Sequence, residues 1–168
     1  MRLLTRSVWA VLMCSALVAP AACGGPPPSA PSDMLNQKIA FELPSDTGQL
    51  VSVPVKSGTT VLDFFSPACK PCKESVPALY AKKADIESKG GRLLLVGVLS
   101  DSESTDDARR ALASWGVTAP FLVDRGAVAQ SQAGVRDLPA TLVLDRDGRL
   151  RWVAPPRAKA SDVVAAVP

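Results

Sequence analysis

The sequence contains no histidine among its 168 residues. This absence excludes catalytic triads built on imidazole, metal sites with histidine ligands, histidine general bases and histidine pH switches. Any catalysis must therefore use cysteine, carboxylate, lysine or hydroxyl groups.

A strong net charge is also missing. The formal charge is +3, and two of these charges belong to Arg2 and Arg6 in a predicted targeting segment that has no acidic residue. The rest of the chain is nearly neutral, which argues against an electrostatic nucleic-acid binder. We expect no nucleic-acid partner.

The longest apolar run near the N-terminus is too short to cross a membrane. It covers Val8 to Val18, about 11 residues, whereas a spanning helix needs about 20. Small residues follow it and precede Cys23, an arrangement that resembles a bacterial lipoprotein signal. We therefore predict a signal peptide over residues 1–22 and a lipid on Cys23. Ordinary cleavage after Ala21, which leaves a free Cys23 thiol, remains the alternative.

The remaining chain is long enough for one domain. Residues 23–34 are rich in glycine, proline and serine, which predicts an extended tether. Residues 35–168 are predicted to form the globular domain. Hydrophobic residues make up 47% and charged residues 21% of the chain, a balance that allows a sizeable core.

Hydrophobic patterns in this domain alternate between strand and helix. The predicted strands are Ala40–Leu43, Leu50–Val55, Thr60–Phe65, Leu93–Leu99, Phe121–Val123, Thr141–Leu144 and Leu150–Val153. The predicted helices are Pro71–Lys89 and Thr105–Trp115. This order predicts an α/β sandwich with a mixed central sheet and an N-terminal β-hairpin.

A Cys-x-x-Cys motif lies directly after a buried strand and at the start of a helix. It consists of Cys69, Lys70, Pro71 and Cys72. The helix N-terminus and the adjacent Lys70 should hold the pKa of Cys69 below the value of about 8.5 of a free thiol. Lys70 and Pro71 are the expected pKa-tuning residues. Cys69 is thus the candidate nucleophile, and Cys72 is the candidate resolving thiol.

The cysteine pair has two alternative interpretations. A zinc site needs about four ligands, and without histidine the pair finds only carboxylates. A purely structural disulfide closes a very short loop and constrains little chain entropy. Redox chemistry by a reversible disulfide is favoured, with no metal and no cofactor.

The motif and its surroundings resemble a known family. The segment from Val61 to Cys72 looks like the thioredoxin active-site segment, and the stretch from about Phe41 to Val153 is similar to the extracytoplasmic TlpA/ResA-like branch. Further matching positions are Phe41-Glu42-Leu43-Pro44, Gly48, Pro77, Leu138-Pro139-Ala140-Thr141 and Leu144-Asp145-Arg146-Asp147-Gly148. The resemblance implies a thioredoxin-like three-layer α/β/α sandwich.

The resemblance also implies roles for three residues outside the motif. Pro139 would be a cis-proline against the disulfide, and the Leu138 backbone would pair with an extended substrate segment. Asp63 would be a buried acid beneath Cys72 that exchanges a proton with it. The open alternatives are a trans Pro139 that merely starts a strand and an Asp63 turned to water.

This chain departs from the family at four positions. The TlpA/ResA-like proteins more often have asparagine at the position of Asp63, and they carry an acid where this chain has Ser75. Glu74 is expected at the surface. Ala68 and Phe65 stand where tryptophans are usual, which leaves the surroundings of the disulfide less aromatic.

The family implies an extracytoplasmic thiol-disulfide oxidoreductase, lipid-anchored to a bacterial membrane and facing the periplasm. Its expected partners are disulfide-containing client proteins, for example apocytochrome c, and a membrane thiol-disulfide electron donor. The lack of histidine inside the motif favours a reductant. A thiol peroxidase is one alternative, although the activating Thr and Arg have no clear counterparts. A metallochaperone is the other, although it would need a distant histidine.

Overall fold

The computed structural model describes residues 31–168. The predicted signal peptide, Cys23 and most of the predicted tether lie outside the described residues. The described part begins with a 3-10 helix, Pro31–Met34. Its strands are β1 (Phe41–Pro44), β2 (Leu50–Val53), β3 (Thr59–Phe65), β4 (Gly91–Leu99), β5 (Phe121–Arg125), β6 (Ala140–Leu144) and β7 (Leu150–Val153). Its α-helices are α1 (Cys72–Tyr80), α2 (Lys83–Ser88), α3 (Thr105–Ser114), α4 (Val128–Gln132) and α5 (Ala160–Ala166).

Five strands form a mixed central sheet in the order β5-β4-β3-β6-β7. Strands β3, β4 and β5 are parallel, whereas β6 and β7 run antiparallel to their neighbours. All seven residues of β3 are buried, as expected for a central strand covered on both faces. The predicted mixed sheet is confirmed, and the Cys-x-x-Cys motif follows the carboxyl end of its middle strand.

The two faces of the sheet carry different layers. Side chains alternate along β3, so that Val61 and Phe65 join one hydrophobic cluster and Leu62 and Phe64 join the other. Buried residues of α1, α2, α3 and α5 belong to or contact the first cluster, whereas the β1–β2 hairpin and α4 supply the second. The predicted three-layer fold with an N-terminal hairpin is confirmed.

The N-terminal segment crosses one face of the sheet from edge to edge. The Ile39 N–H donates to the Gly148 carbonyl before β7, and the Asp46 N–H donates to the Phe121 carbonyl of β5, both at 2.8 Å. Leu43, between these two points, is buried. Only glycine fits at 148, because its φ is +82° and a Cβ would lie 2.8 Å from the Ile39 carbonyl oxygen. The segment therefore occupies both edges and hinders pairing with another chain.

The single helix predicted over Pro71–Lys89 is wrong. The structure divides this stretch into α1 and α2, because the Lys82 N–H donates to the Leu79 carbonyl at 2.9 Å in a tight three-residue turn. Pro77 also lies inside α1 and removes one backbone donor there. The chain therefore reaches β4 through two short helices.

The predicted helix over Thr105–Trp115 is confirmed as α3, which ends one residue earlier. The Ser104 side chain accepts the Asp107 N–H at 3.1 Å, and the Asp107 carboxylate accepts the Ser104 N–H at 2.8 Å. This reciprocal pair is a capping box, and it fixes the start of the helix. Between residues 31 and 168, no helix is long and apolar enough to cross a bilayer.

Candidate functional site

Cys69 and Cys72 form a disulfide at the carboxyl end of β3. The Cys72 N–H donates to the Cys69 carbonyl at 3.2 Å, so the motif is a tight turn that leads into α1. The helix begins at Cys72 itself. The predicted helix start at Pro71 is therefore one residue too early, because the first hydrogen bonds of the turn span three residues rather than four.

The two sulfur atoms are not equivalent. Cys72 is fully buried, whereas Cys69 is half-buried and packs against the edge of the same cluster. The Cys72 N–H also donates to Cys69 Sγ at 3.2 Å. A backbone donor aimed at this sulfur stabilises a thiolate there when the pair is reduced. Cys69 Sγ is therefore the favoured sulfur both to attack an outside molecule and to be attacked by one.

The residues between the cysteines are exposed. Lys70 and Pro71 both lie at the surface, with Ala68 beside them. Pro71 precedes α1 with a φ of −68° and has no N–H to leave unpaired. The Lys70 charge is in solvent, where its effect on a neighbouring thiolate is reduced by screening. Glu74 is exposed, as expected.

Asp63 is a buried acid in the layer between the sheet and α1. It alternates with Val61 and Phe65 on β3, and it is only 1% exposed. The alternative of an Asp63 turned to water is therefore wrong. Burial raises its pKa to about 7, although a hydrogen bond from the Thr141 hydroxyl lowers it. At neutral pH the carboxyl group can thus both accept and give up a proton.

The two oxygens of this carboxyl group have different surroundings. Oδ1 accepts the Thr141 hydroxyl at 2.9 Å, whereas Oδ2 has no hydrogen-bond partner in the described structure. The Asp63 side chain lies on the side of β3 that faces α1. Its unpartnered oxygen, Oδ2, therefore belongs to the same layer as the buried Cys72. A buried acceptor without a donor is costly, and a catalytic role is one explanation for such a group.

The Leu138–Pro139 peptide bond is cis, as predicted. Ala140 pairs with Phe64 in the sheet, so the cis bond lies beside the end of β3, where the motif begins. Both Leu138 and Pro139 are half-buried. Leu138 also lines an open groove of about 430 Å³ together with Ser66 and Ala127. Ser66 lies three residues before Cys69, so the groove adjoins the segment that leads into the motif.

Aromatic contacts hold the end of β3 in place. The Phe65 ring packs edge-on against Trp115 at 6.0 Å between centroids and against Phe121 at 5.9 Å. Trp115 and Trp152 are half-buried. Gly97 on the neighbouring strand leaves room for these rings, because a Cβ would lie 3.2 Å from both Phe65 and Phe121.

Two polar residues near the site were given no role from the sequence. Thr141 is the donor to Asp63, a contact that exists only because β6 pairs with β3 in this register. Ser75 has a buried hydroxyl without a partner in the described structure. The signal for Thr141 was its position two residues after Pro139 in an apolar strand. The signal for Ser75 was its place three residues after Cys72.

Comparison with known proteins gives three kinds of match. The AhpC/TSA family matches residues 35–153, well over half of the chain. The thiol-disulfide oxidoreductase ResA of Bacillus thuringiensis (strain Al Hakam) is 26% identical over 97 residues, which cover 57% of this chain and 54% of that protein. The chain thus spans about half the length of the curated relatives it matches first.

Two solved structures share the fold. A putative thiol:disulfide interchange protein DsbE from Chlorobium tepidum is 30% identical, with a TM-score of 0.61 over 79% of this chain and 96% of that one. A secreted thiol-disulfide isomerase from Corynebacterium glutamicum is 20% identical, with a TM-score of 0.65 over 78% and 83%. With the disulfide, the buried acid and the cis-proline in one thioredoxin-like fold, the chain belongs to the AhpC/TSA family and, within it, to the TlpA/ResA-like group.

Proposed function

We propose that this protein is a thiol-disulfide oxidoreductase that reduces disulfides in client proteins. The observation that carries the proposal is the Cys69–Cys72 disulfide, which joins a half-buried sulfur to a fully buried one at the end of the central strand. Relatives with this fold are named thiol-disulfide oxidoreductase and thiol:disulfide interchange protein, and those names support the same chemistry.

The first step uses Cys69. In the reduced protein its thiolate attacks one sulfur of a client disulfide, and a mixed disulfide forms while the other client sulfur leaves as a thiolate. The N–H of Cys72 stabilises the attacking thiolate by the contact seen at 3.2 Å. Since Cys69 is the more exposed of the two cysteines, it is the sulfur that a folded client can reach.

The second step uses Cys72. Its sulfur attacks Cys69 in the mixed disulfide, the bond between Cys69 and the client breaks, and the client leaves fully reduced. Cys72 must lose a proton first, and it lies in the same layer as Asp63. With a pKa of about 7, Asp63 accepts that proton at neutral pH.

Leu138 and Pro139 are proposed to hold the client segment. The cis bond lies beside the end of β3, and the adjoining groove is open to solvent. Because Pro139 has no N–H, it cannot donate a hydrogen bond to a neighbouring strand. We propose that the Leu138 backbone beside it pairs with an extended client peptide. Apocytochrome c is a suitable client class, because its haem-attachment motif carries a Cys-x-x-Cys pair that has to be reduced.

A reductant in an oxidising compartment needs a source of electrons. We propose a membrane thiol-disulfide donor that reduces the Cys69–Cys72 disulfide after each turnover. The absence of histidine between the cysteines supports a reducing rather than an oxidising pair. The same two sulfurs then serve the donor and the client in alternation.

The proposed location is outside the cytoplasm, with a lipid anchor on Cys23. The word secreted in the name of the Corynebacterium relative supports the location. The first described residues fit an anchored arrangement, because the Asn36 N–H donates to the Leu150 carbonyl at 2.8 Å. Leu150 pairs with Leu144 and Leu144 with Thr60, at the start of β3. The chain thus enters the sheet at the end opposite the disulfide, which would leave the disulfide facing away from the membrane.

The proposal is tested by reduction of a protein disulfide such as that of insulin with dithiothreitol as the electron source. We expect Cys69→Ser to abolish the catalysed rate, and Cys72→Ser to accumulate a mixed disulfide detectable by mass spectrometry. Turnover retained by both single variants would rule out the dithiol mechanism. Consumption of peroxide in place of disulfide reduction would favour the peroxidase alternative.

A further inference from the structure

Three buried side-chain oxygens lack a hydrogen-bond partner in the described part of the chain: Asp46 Oδ1, Asp63 Oδ2 and Ser75 Oγ. Such atoms are uncommon in folded proteins, because each one forfeits the hydrogen bond it would make to water. Asp46 lies beside α3, whereas Asp63 faces α1 and Ser75 is part of it. Asp63 and Ser75 therefore both belong to the layer between α1 and the sheet.

Ser75 lies next to Cys72 on α1. Residues three apart in a helix are neighbours on its surface, and helical side chains lean toward the N-terminus. The Ser75 hydroxyl is thus directed over the turn that holds Cys72. A serine within a helix commonly donates to the carbonyl three or four residues back, but Ser75 does not make this bond. In the oxidised structure the hydroxyl bonds neither Asp63 Oδ2 nor a cysteine sulfur, so its proton is available for another acceptor once the disulfide opens.

The orientation of α1 turns Ser75 toward the acid. On the opposite flank of the helix, the Tyr80 hydroxyl donates to the Thr118 carbonyl at 3.3 Å, so that flank faces the loop before β5. Residue 75 lies about 140° from residue 80 around the helix, with the buried Cys72 between them. Ser75 therefore faces the β6 side, where α5 packs on α1 and where Thr141 contacts Asp63.

We propose that the Ser75 hydroxyl links Cys72 to Asp63 and carries the proton between them when the mixed disulfide is resolved. This inference rests on the proposed function. The Cys72 proton passes to Ser75 Oγ while the Ser75 proton passes to Asp63 Oδ2. The Cys72 sulfur then bonds to the Cys69 sulfur, and the bond from Cys69 to the client sulfur breaks. The client leaves as a thiolate, and Asp63 ends protonated.

Among residues 31–168, no other charged side chain of α1 or of the start of α5 is buried in this layer. The charged side chains on α1 and at the start of α5 are exposed, namely Lys73, Glu74, Lys159 and Asp162. The strand neighbours of Asp63 are Leu95 on β4 and Thr141 on β6, and neither titrates near neutral pH. The pH dependence of resolution therefore reports on Asp63 and Cys72.

The decisive comparison is Ser75→Thr against Ser75→Val. Both replacements are β-branched and of similar volume, so any packing cost is shared, and only threonine keeps the hydroxyl. The reduced proteins are mixed with a glutathionylated peptide, quenched with acid at intervals, and the mixed disulfide on Cys69 is counted by mass spectrometry. Ser114→Ala, an exposed serine at the end of α3, serves as the control.

We expect Ser75→Val to resolve the mixed disulfide about tenfold more slowly than Ser75→Thr at pH 7, with the first attack by Cys69 unchanged. The rate of Ser75→Val should also no longer rise through the pH range in which Asp63 ionises. Equal resolution rates and equal pH profiles for the two variants would overturn the role of Ser75. A wild-type protein that never forms the mixed disulfide would instead defeat the proposed function itself.

Discussion

The Thr141 hydroxyl donates a 2.9 Å hydrogen bond to Asp63 Oδ1 from the antiparallel strand directly beside it. Thr141 lies two residues after the cis-proline, and Asp63 lies six residues before the first cysteine of the motif. The same hydrogen bond therefore joins the strand that carries the candidate client-binding loop to the buried acid. It also holds one carboxyl oxygen in place, while the other has no hydrogen-bond partner in the described structure.

Thr141→Val should move the ionisation of Asp63 upward. Valine has nearly the shape of threonine but cannot donate, so the carboxylate loses the hydrogen bond that lowers its pKa. We expect the midpoint of the Asp63 carboxyl signal, followed by carbon NMR of the reduced protein, to rise above about 7. Thr60→Val is the control, because this buried β3 hydroxyl accepts the Val55 N–H instead. An unchanged midpoint in Thr141→Val would contradict the contact.

Asp63→Asn should slow resolution while leaving the first attack intact. Asparagine fits the same space but accepts no proton from Cys72, and a positioned general base contributes about a hundredfold or more. The rate of resolution in the wild type should rise with pH through about 7, and the variant should lack this rise. Stopped-flow measurement from pH 5 to 9 gives both profiles. Matching rates would reduce Asp63 to a structural residue.

The buried acid should also make stability depend on pH. The pKa of Asp63 is raised in the folded state, so above the ordinary carboxyl pKa of about 4 the unfolded chain ionises while the folded chain stays protonated. The free energy of unfolding should therefore fall as pH rises from about 4 to about 7, by about 4 kcal/mol from this group, and then level off. The contribution of Asp63 to the free energy of unfolding is thus most favourable below about pH 4.

Urea unfolding of the oxidised protein checks this expectation. Asp63→Asn removes the titrating group, so its stability relative to the wild type should increase between pH 4 and pH 7. Asp107 and Asp145 have lowered pKa values from their hydrogen bonds and affect both proteins equally at lower pH. A constant difference between the two proteins across this range would show that Asp63 ionises normally.

Much of the site was predictable because it depends on local sequence. The apolar residues of β3 indicated a buried strand, the family resemblance implied a buried Asp63, and the structure has both. The Cys-x-x-Cys pair and the cis Leu138–Pro139 bond followed from the motif and its family resemblance. The roles of these residues stay predictions until the variants are measured.

The remaining features depend on contacts between distant segments. Helix α4 has only five residues, and it is held by Asp124, whose carboxylate accepts the N–H groups of Ala129 and Gln130 at 3.1 and 2.8 Å. No hydrophobic period can show so short a helix. Helix α5 is similarly short, with seven residues. The contact of Thr141 with Asp63 required the register of β6 on β3, which the sequence does not show.

Cys23→Ala should release the protein from the membrane. The predicted lipid is attached to the Cys23 thiol, and one acylated residue with its tether is the proposed anchor. We expect the wild type in the membrane fraction of its host and Cys23→Ala in the soluble fraction by immunoblot, with Ser29→Ala as a control in the same tether. A wild-type protein recovered entirely in the soluble fraction would contradict the anchor.

The redox equilibrium of the Cys69/Cys72 pair against a dithiothreitol or glutathione series tests the central claim most directly. Alkylation and mass spectrometry give the fraction of disulfide at each ratio. We predict one reversible two-electron transition with a potential at or below about −250 mV, which suits a reductant fed by a membrane donor. A potential near −120 mV would make the pair an oxidant, and the absence of a reversible transition would leave the disulfide purely structural.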